Sequence, residues 1–166
     1  MPDCATPIVV LNRRRRQATQ ARRRTLLPAC AAALLASAAA GQTPVDPTPP
    51  PAERFGAEVL QLVNLLREPL GLPLLRPDPA LARIAAGRSQ EMAQAGRLSH
   101  AGFSAAFEAA GRPACVENLA FGYRQPAALV AAWQASASHQ RNLVAPGLQW
   151  AGVVLQAGYA TFFACQ

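Results

Sequence analysis

The chain has no lysine: all 16 of its basic side chains are arginines, set against nine acidic ones, for a formal net charge of +7. That charge looks like a nucleic-acid signature until it is divided along the sequence. Seven of the arginines and one acid fall in residues 1–40, which leaves nine arginines against eight acids in the rest. A part so nearly neutral has no basic stripe to neutralise a phosphate backbone, so nucleic acid is excluded as a partner held by counterion release. Catalytic signatures are missing too. There is no HExxH zinc helix, GxSxG elbow, phosphate-cradling glycine loop or CxxC pair, and the common enzyme templates are excluded as readable motifs. Histidine is scarce, His100 and His139 being the only two. The apolar run from Leu26 to Ala36 is too short and too rich in alanine to span a hydrocarbon core of roughly 30 Å, so no stable membrane span is expected.

What is present begins with a leader. Arg22, Arg23 and Arg24 precede the apolar run, and Ala38 and Ala40 follow it. A positive region, an apolar stretch of this length and small residues at alternate positions are the parts of a cleavable export signal. Residues 1–40 are therefore read as an N-terminal extension and signal peptide, with cleavage before Gly41 and a secreted or periplasmic destination. Arg23-Arg24-Thr25-Leu26-Leu27 also resembles the twin-arginine pattern, which leaves the export route open. Leu27-Pro28-Ala29-Cys30 resembles a lipoprotein cleavage box, but it follows the arginines after only two apolar residues, and no lipid anchor is expected. Pro44, Pro47, Pro49, Pro50 and Pro51 fix φ and remove donors, so residues 41–53 read as an extended linker. One domain, residues 54–166, remains, and a monomer is expected.

Within it, Phe55, Val59, Leu62, Val63 and Leu66 recur at three- and four-residue steps and predict a helix from Arg54 to Glu68. Asp78-Pro79 is a helix start, continued by Leu81, Ile84, Ala85, Arg88 and Met92 and stopped by Gly96. Shorter helices fit Ser104–Ala110 and Pro126–Ser136, the latter with Leu129, Val130 and Trp133 turned inward. Val116–Phe121, Leu148–Gln156 and Tyr159–Cys165 read as strands, the last two joined in a hairpin at Ala157-Gly158. Four helices with strands close in sequence predict an α+β domain and antiparallel pairing. Trp133, Trp150 and Met92 have the surroundings of core residues. Cys4 and Cys30 belong to the leader, and Cys115 and Cys165 form an even pair in an oxidising compartment, so a disulfide between them is predicted.

Asn64, Arg67, Gly71-Leu72, Leu74, Leu81, Ala85, Met92, Ser99-His100, Glu117-Asn118-Leu119-Ala120, Trp133, Ser136, His139, Arg141-Asn142-Leu143 and Gly152-Val153 follow one another in an order that closely resembles the bacterial branch of the CAP superfamily. That superfamily takes in the cysteine-rich secretory, antigen 5 and pathogenesis-related 1 proteins, and its SCP-like domain matches nearly all of residues 54–166. The resemblance implies an α-β-α sandwich with a three- to four-stranded antiparallel sheet between helices. It also implies a cleft formed by His100, Glu117, Asn118, Ser136 and His139. Ser136 stands where members with a full tetrad carry a second glutamate. Val116 and Ala137-Ser138 also depart from the usual Gly and Pro-Gly.

Three readings of these residues stay open. Two neutral imidazoles and a carboxylate, His100, His139 and Glu117, can hold Zn²⁺ or another divalent ion if their tips converge. The same three are candidate catalytic groups for acid–base chemistry without metal. Or the histidines are hydrogen-bonded locks between helix ends and sheet, with Glu117 as partner. The matching functions are a non-catalytic cleft module for a small, lipid-like or envelope ligand, a metal-dependent hydrolase or peptidase, and a structural or colonisation factor acting through its surface.

Overall fold

The computed structural model describes residues 51–166; the signal peptide and most of the linker read from the sequence lie outside them. The elements run α1 (Pro51–Arg67), a 3₁₀ turn (Glu68–Leu70), β1 (Arg76–Pro77), α2 (Pro79–Ala95), α3 (Phe103–Ala110), β2 (Cys115–Phe121), α4 (Pro126–Ala135), α5 (Ala137–Leu143), β3 (Trp150–Gln156) and β4 (Tyr159–Cys165). Four strands form one sheet in the order β1-β3-β4-β2.

That sheet is mixed, which corrects the all-antiparallel expectation. β2–β4 and β3–β4 pair antiparallel, but β1 runs parallel to β3. β1 is two residues long and has no β-branched run to reveal it. It exists because Arg76 N–H donates to Gln149 O at 2.8 Å and Asp78 N–H donates to Ala151 O at 2.9 Å. Pro77 between them has no N–H to lose, a residue that belongs on an edge.

β4 is buried along its whole length, so its side chains feed two cores alternately. Phe162, Ala160 and Ala164 face α1 and α4, where Val59, Val63, Leu129, Val130 and Trp133 complete the larger cluster. Phe163 and Cys165 face α2 and α3, against Leu81, Ala85, Phe103 and Phe107. The result is the α-β-α sandwich that the family resemblance implied. α2 approaches β3 so closely that a Cβ on Gly152 would lie 2.2 Å from Ala82 N and 2.3 Å from the Leu81 carbonyl carbon. Only glycine fits there.

Helix ends follow local chemistry. Asp78 accepts from Ala80 N–H and Leu81 N–H at the start of α2, and Gly96 closes it. α1 begins at Pro51, three residues before the predicted start, because proline is tolerated in a first turn. A fifth helix, α5, was not foreseen: Ser136, in extended conformation (φ −99°, ψ 120°), separates it from α4, and its polar sequence lacks an apolar period. The predicted hairpin forms, with Ala157 and Gly158 both at positive φ (48° and 82°), the two-residue turn whose twist matches antiparallel strands. The predicted disulfide joins Cys115 and Cys165, directly opposed in the β2–β4 register with Cα atoms 4.1 Å apart. Among the described residues no helix is long and apolar enough to cross a membrane.

Candidate functional site

β2 is the edge strand opposite β1, and it carries Glu117 and Asn118 in succession. Successive side chains alternate faces, so Glu117 turns toward α2 and Asn118 toward α5. Both are buried. On the outer edge, Asn142 Nδ2–H donates to Glu117 O at 3.1 Å and Trp133 Nε1–H donates to Leu119 O at 3.2 Å. These side chains satisfy strand carbonyls that would otherwise be left open at an edge.

The sequence-predicted residues gather in two groups around this strand. In the first, His100 Nδ1 lies 2.7 Å from Glu117 Oε2. In the second, Asn118 Nδ2–H donates to the His139 carbonyl at 3.1 Å, and Asn142 Nδ2–H donates to Asn118 Oδ1 at 2.8 Å. Ser136 pairs with Ser138, their hydroxyls 3.1 Å apart. Arg141 is exposed. Trp133 is a core residue, but Trp150 is only half-buried, with the Arg76 and Arg112 guanidinium carbons each 5.8 Å from its ring centroid.

The sequence reading missed the residue that dominates the first group. Arg88, 4% exposed, sends Nε–H to Glu117 Oε1 at 2.8 Å and Nη2–H to Ser99 O at 2.6 Å, and its Nη1 pairs with Glu91 Oε2. Gly102 admits the guanidinium, since a Cβ there would stand 2.0 Å from Nη1. Burial opposes the Arg88 charge, but hydrogen bonds and attraction from Glu117 and then Glu91 outweigh it, and its pKa lies above the ordinary arginine value. The available signal was its place on the inward face of α2, between Ala85 and Met92, where an arginine needs a partner. Asn142 was likewise visible only as part of the family pattern.

Both Glu117 oxygens are thus engaged, one of them by a cation. Among the described residues, no three His, Cys, Asp and Glu side chains are grouped so that they could hold a metal ion. The donor set as it stands does not fit a divalent ion.

Elsewhere, a cavity of about 460 Å³ opens at the hairpin end of the sheet, lined by Phe121, Tyr123, Arg124, Leu155, Ala157 and Gly158. None of the five predicted cleft residues lines it. Phe121, 56% exposed, packs at a tilt of 42° against Tyr159 with ring centroids 4.5 Å apart.

A small α-β-α sandwich in which a carboxylate on an edge strand holds an imidazole from the α2–α3 loop defines the class of domain. The cysteine-rich secretory protein family, CAP, matches residues 60–166. The chain belongs to that family. It is 27% identical over 117 residues to the Bacillus subtilis protein YkwD, covering 63% of this chain and 44% of that protein. Its fold is similar to that of an extracellular SCP-domain protein of Bacillus anthracis, with a TM-score of 0.65 at 22% identity, over 69% of this chain and 41% of the other. It is also similar to a cysteine-rich secretory protein of Staphylococcus aureus, with a TM-score of 0.63 at 16% identity, over 75% and 41%. An outer surface protein of Borrelia burgdorferi gives a TM-score of 0.55 at 20% identity, over 64% and 86%. The chain thus spans less than half the length of YkwD and of the first two structures.

Proposed function

We propose that the protein is an exported, non-catalytic binding module that takes a small amphipathic ligand, an apolar body with one anionic group, at the hairpin-end groove. The observation that carries this reading is the lining. Phe121, Tyr123 and Leu155 offer an apolar surface, Arg124 offers a charge at the rim, and the volume of about 460 Å³ lies in the range of small-molecule sites. The reading moves the ligand away from the cleft residues His100, Glu117, Asn118, Ser136 and His139, whose described hydrogen bonds join α2, β2 and α5 and serve as locks. Export is supported by the leader-like sequence, by the disulfide and by relatives named as extracellular and outer-surface proteins.

Titration with cis-parinaric acid and with its methyl ester tests the proposal. The acid should bind with native fluorescence enhancement, and the neutral ester about tenfold more weakly, the equivalent of one charge-assisted contact of about 1.4 kcal/mol. Phe121→Ala and Arg124→Glu should each weaken the acid, while His100→Ala leaves it unchanged. Equal binding by wild type and both groove variants would remove the groove from consideration.

A further inference from the structure

The resemblance that names a metal also names Glu117 as its carboxylate ligand, yet Glu117 is already bound to a cation. Arg88 reaches it from α2. Its guanidinium lies between two carboxylates, Glu117 at Nε and Glu91 at Nη1, while Nη2 holds the carbonyl of Ser99, the residue before His100. Gly102 gives the group room on its remaining side. We infer that Arg88 is the built-in cation of this site, excluding a divalent ion from Glu117 and fixing the Ser99–His100 segment so that the imidazole is positioned without one.

The chemistry follows from charge and from donor count. Glu117 has two oxygens. Arg88 holds one at 2.8 Å and His100 Nδ1 lies 2.7 Å from the other. A divalent ion entering at Glu117 would stand beside a guanidinium of like sign and compete with it and with His100 for one buried carboxylate. Without that carboxylate, the nominal set is reduced to imidazole nitrogens, which bring no negative charge to the ion. Arg88 is a positioning residue here. It acts on His100 through Glu117 and through the Ser99 carbonyl. The inference is independent of what occupies the hairpin-end groove, so the two stand or fall separately.

Removing the guanidinium should create what it prevents. Glu91 and Glu117 hold the guanidinium at different nitrogens and His100 Nδ1 adjoins Glu117 Oε2; the three are not grouped for a metal ion with Arg88 in place, and Arg88→Ala frees both carboxylates to close on an ion beside the imidazole. The experiment is a Zn²⁺ titration by calorimetry, with Co²⁺ absorption to report coordination geometry, on the full folded chain. Wild type should take up no stoichiometric ion at micromolar metal. Arg88→Ala should bind one Zn²⁺ at least about tenfold more tightly than wild type, an effect of the size that neighbouring groups exert on metal affinity. Adding Glu91→Gln or His100→Ala should reverse the gain. One Zn²⁺ per wild-type chain, lost in His100→Ala, would overturn the inference, and so would a folded Arg88→Ala that binds no better than wild type. If Arg88→Ala loses its near-ultraviolet dichroism, Arg88→Gln takes its place and is read in the same way, and the wild-type titration remains decisive.

Discussion

Two arginines are buried on opposite faces of the same sheet, and they are satisfied in opposite ways. Arg67, at the end of α1, is fully buried. It donates to carbonyls alone: Pro73 O at 2.9 Å, Leu143 O at 2.8 Å, Ala145 O at 3.2 Å and Leu148 O at 3.3 Å. Burial holds its pKa below the ordinary arginine value. Arg88, on α2, is bound by two carboxylates and one carbonyl. The difference separates two uses of the same group. A guanidinium among neutral carbonyls fastens chain to chain, here the end of α1 to the turn before β1 and to the loop between α5 and β3. A guanidinium among carboxylates also sets the charge of a site.

The largest effect is expected where the fastening is removed. Arg67→Ala strands four carbonyls that have no other described donor among the side chains and opens a cavity, and it should cost about 4–5 kcal/mol of unfolding free energy. Urea unfolding measures this. Arg67→Lys should recover only part of the loss, because one ammonium cannot reproduce the fork. A lysine variant as stable as wild type would mean that charge matters there and geometry does not.

The next effect concerns the face with the smaller core. The α1–α4 side buries sixteen apolar residues in one cluster, whereas the α2–α3 side divides its core between a cluster of eight, two of which are the bonded cysteines, and one of three, Met92, Leu119 and Tyr159. The bridge spans a sequence separation of 50, so the chain-entropy account assigns it about 4 kcal/mol. A Cys115→Ser, Cys165→Ser double variant should lose an amount of that order. Hydrogen exchange should then rise first in β2 and α3, ahead of α1 and α4. Uniform loss of protection would show that the two faces unfold as one unit and that the comparison between them is only geometric.

How much of this was legible depends on whether a feature is local. α2 announced itself through Asp78-Pro79 and Gly96, and the hairpin through Ala157-Gly158, because caps and turns are written in adjacent residues. β1 was illegible, since Arg76-Pro77 becomes a strand only when Gln149, just before β3, and Ala151 within it supply partners. α5 was illegible for the opposite reason: its ends are set by Ser136 and by packing against β2, and its seven residues carry no apolar stripe. At the site, family order set His100, Glu117 and His139 together, and the structure pairs His100 with Glu117. The arginine that completes the pair lies 29 residues before Glu117, and it was counted with the apolar positions of its helix. A charged residue at a core-facing helical position is itself the signal of a distant partner.

The smallest prediction isolates what charge adds on the α2–α3 face. Ser89 lies next to Arg88 in sequence and is fully buried, with Oγ 2.9 Å from Thr161 Oγ1 on β4. This pair also links α2 to the sheet, but without charge. Ser89→Ala should cost about 1–2 kcal/mol because the Thr161 hydroxyl loses its partner in a dry setting, and Ser89→Ala with Thr161→Val should return close to wild type, since neither polar group is then left alone. The same logic applied to Arg88 and Glu117 fails at one point. Replacing both by apolar residues removes the stranded charge at Glu117, but it also frees the Ser99 carbonyl and the His100 imidazole, so stability would recover while the position of His100 would not. If thermal melts of the neutral double variant stay as low as those of its single parent, the hydroxyl pair is holding something beyond itself. The contrast between a neutral link and a charged one on this face would then lose its basis.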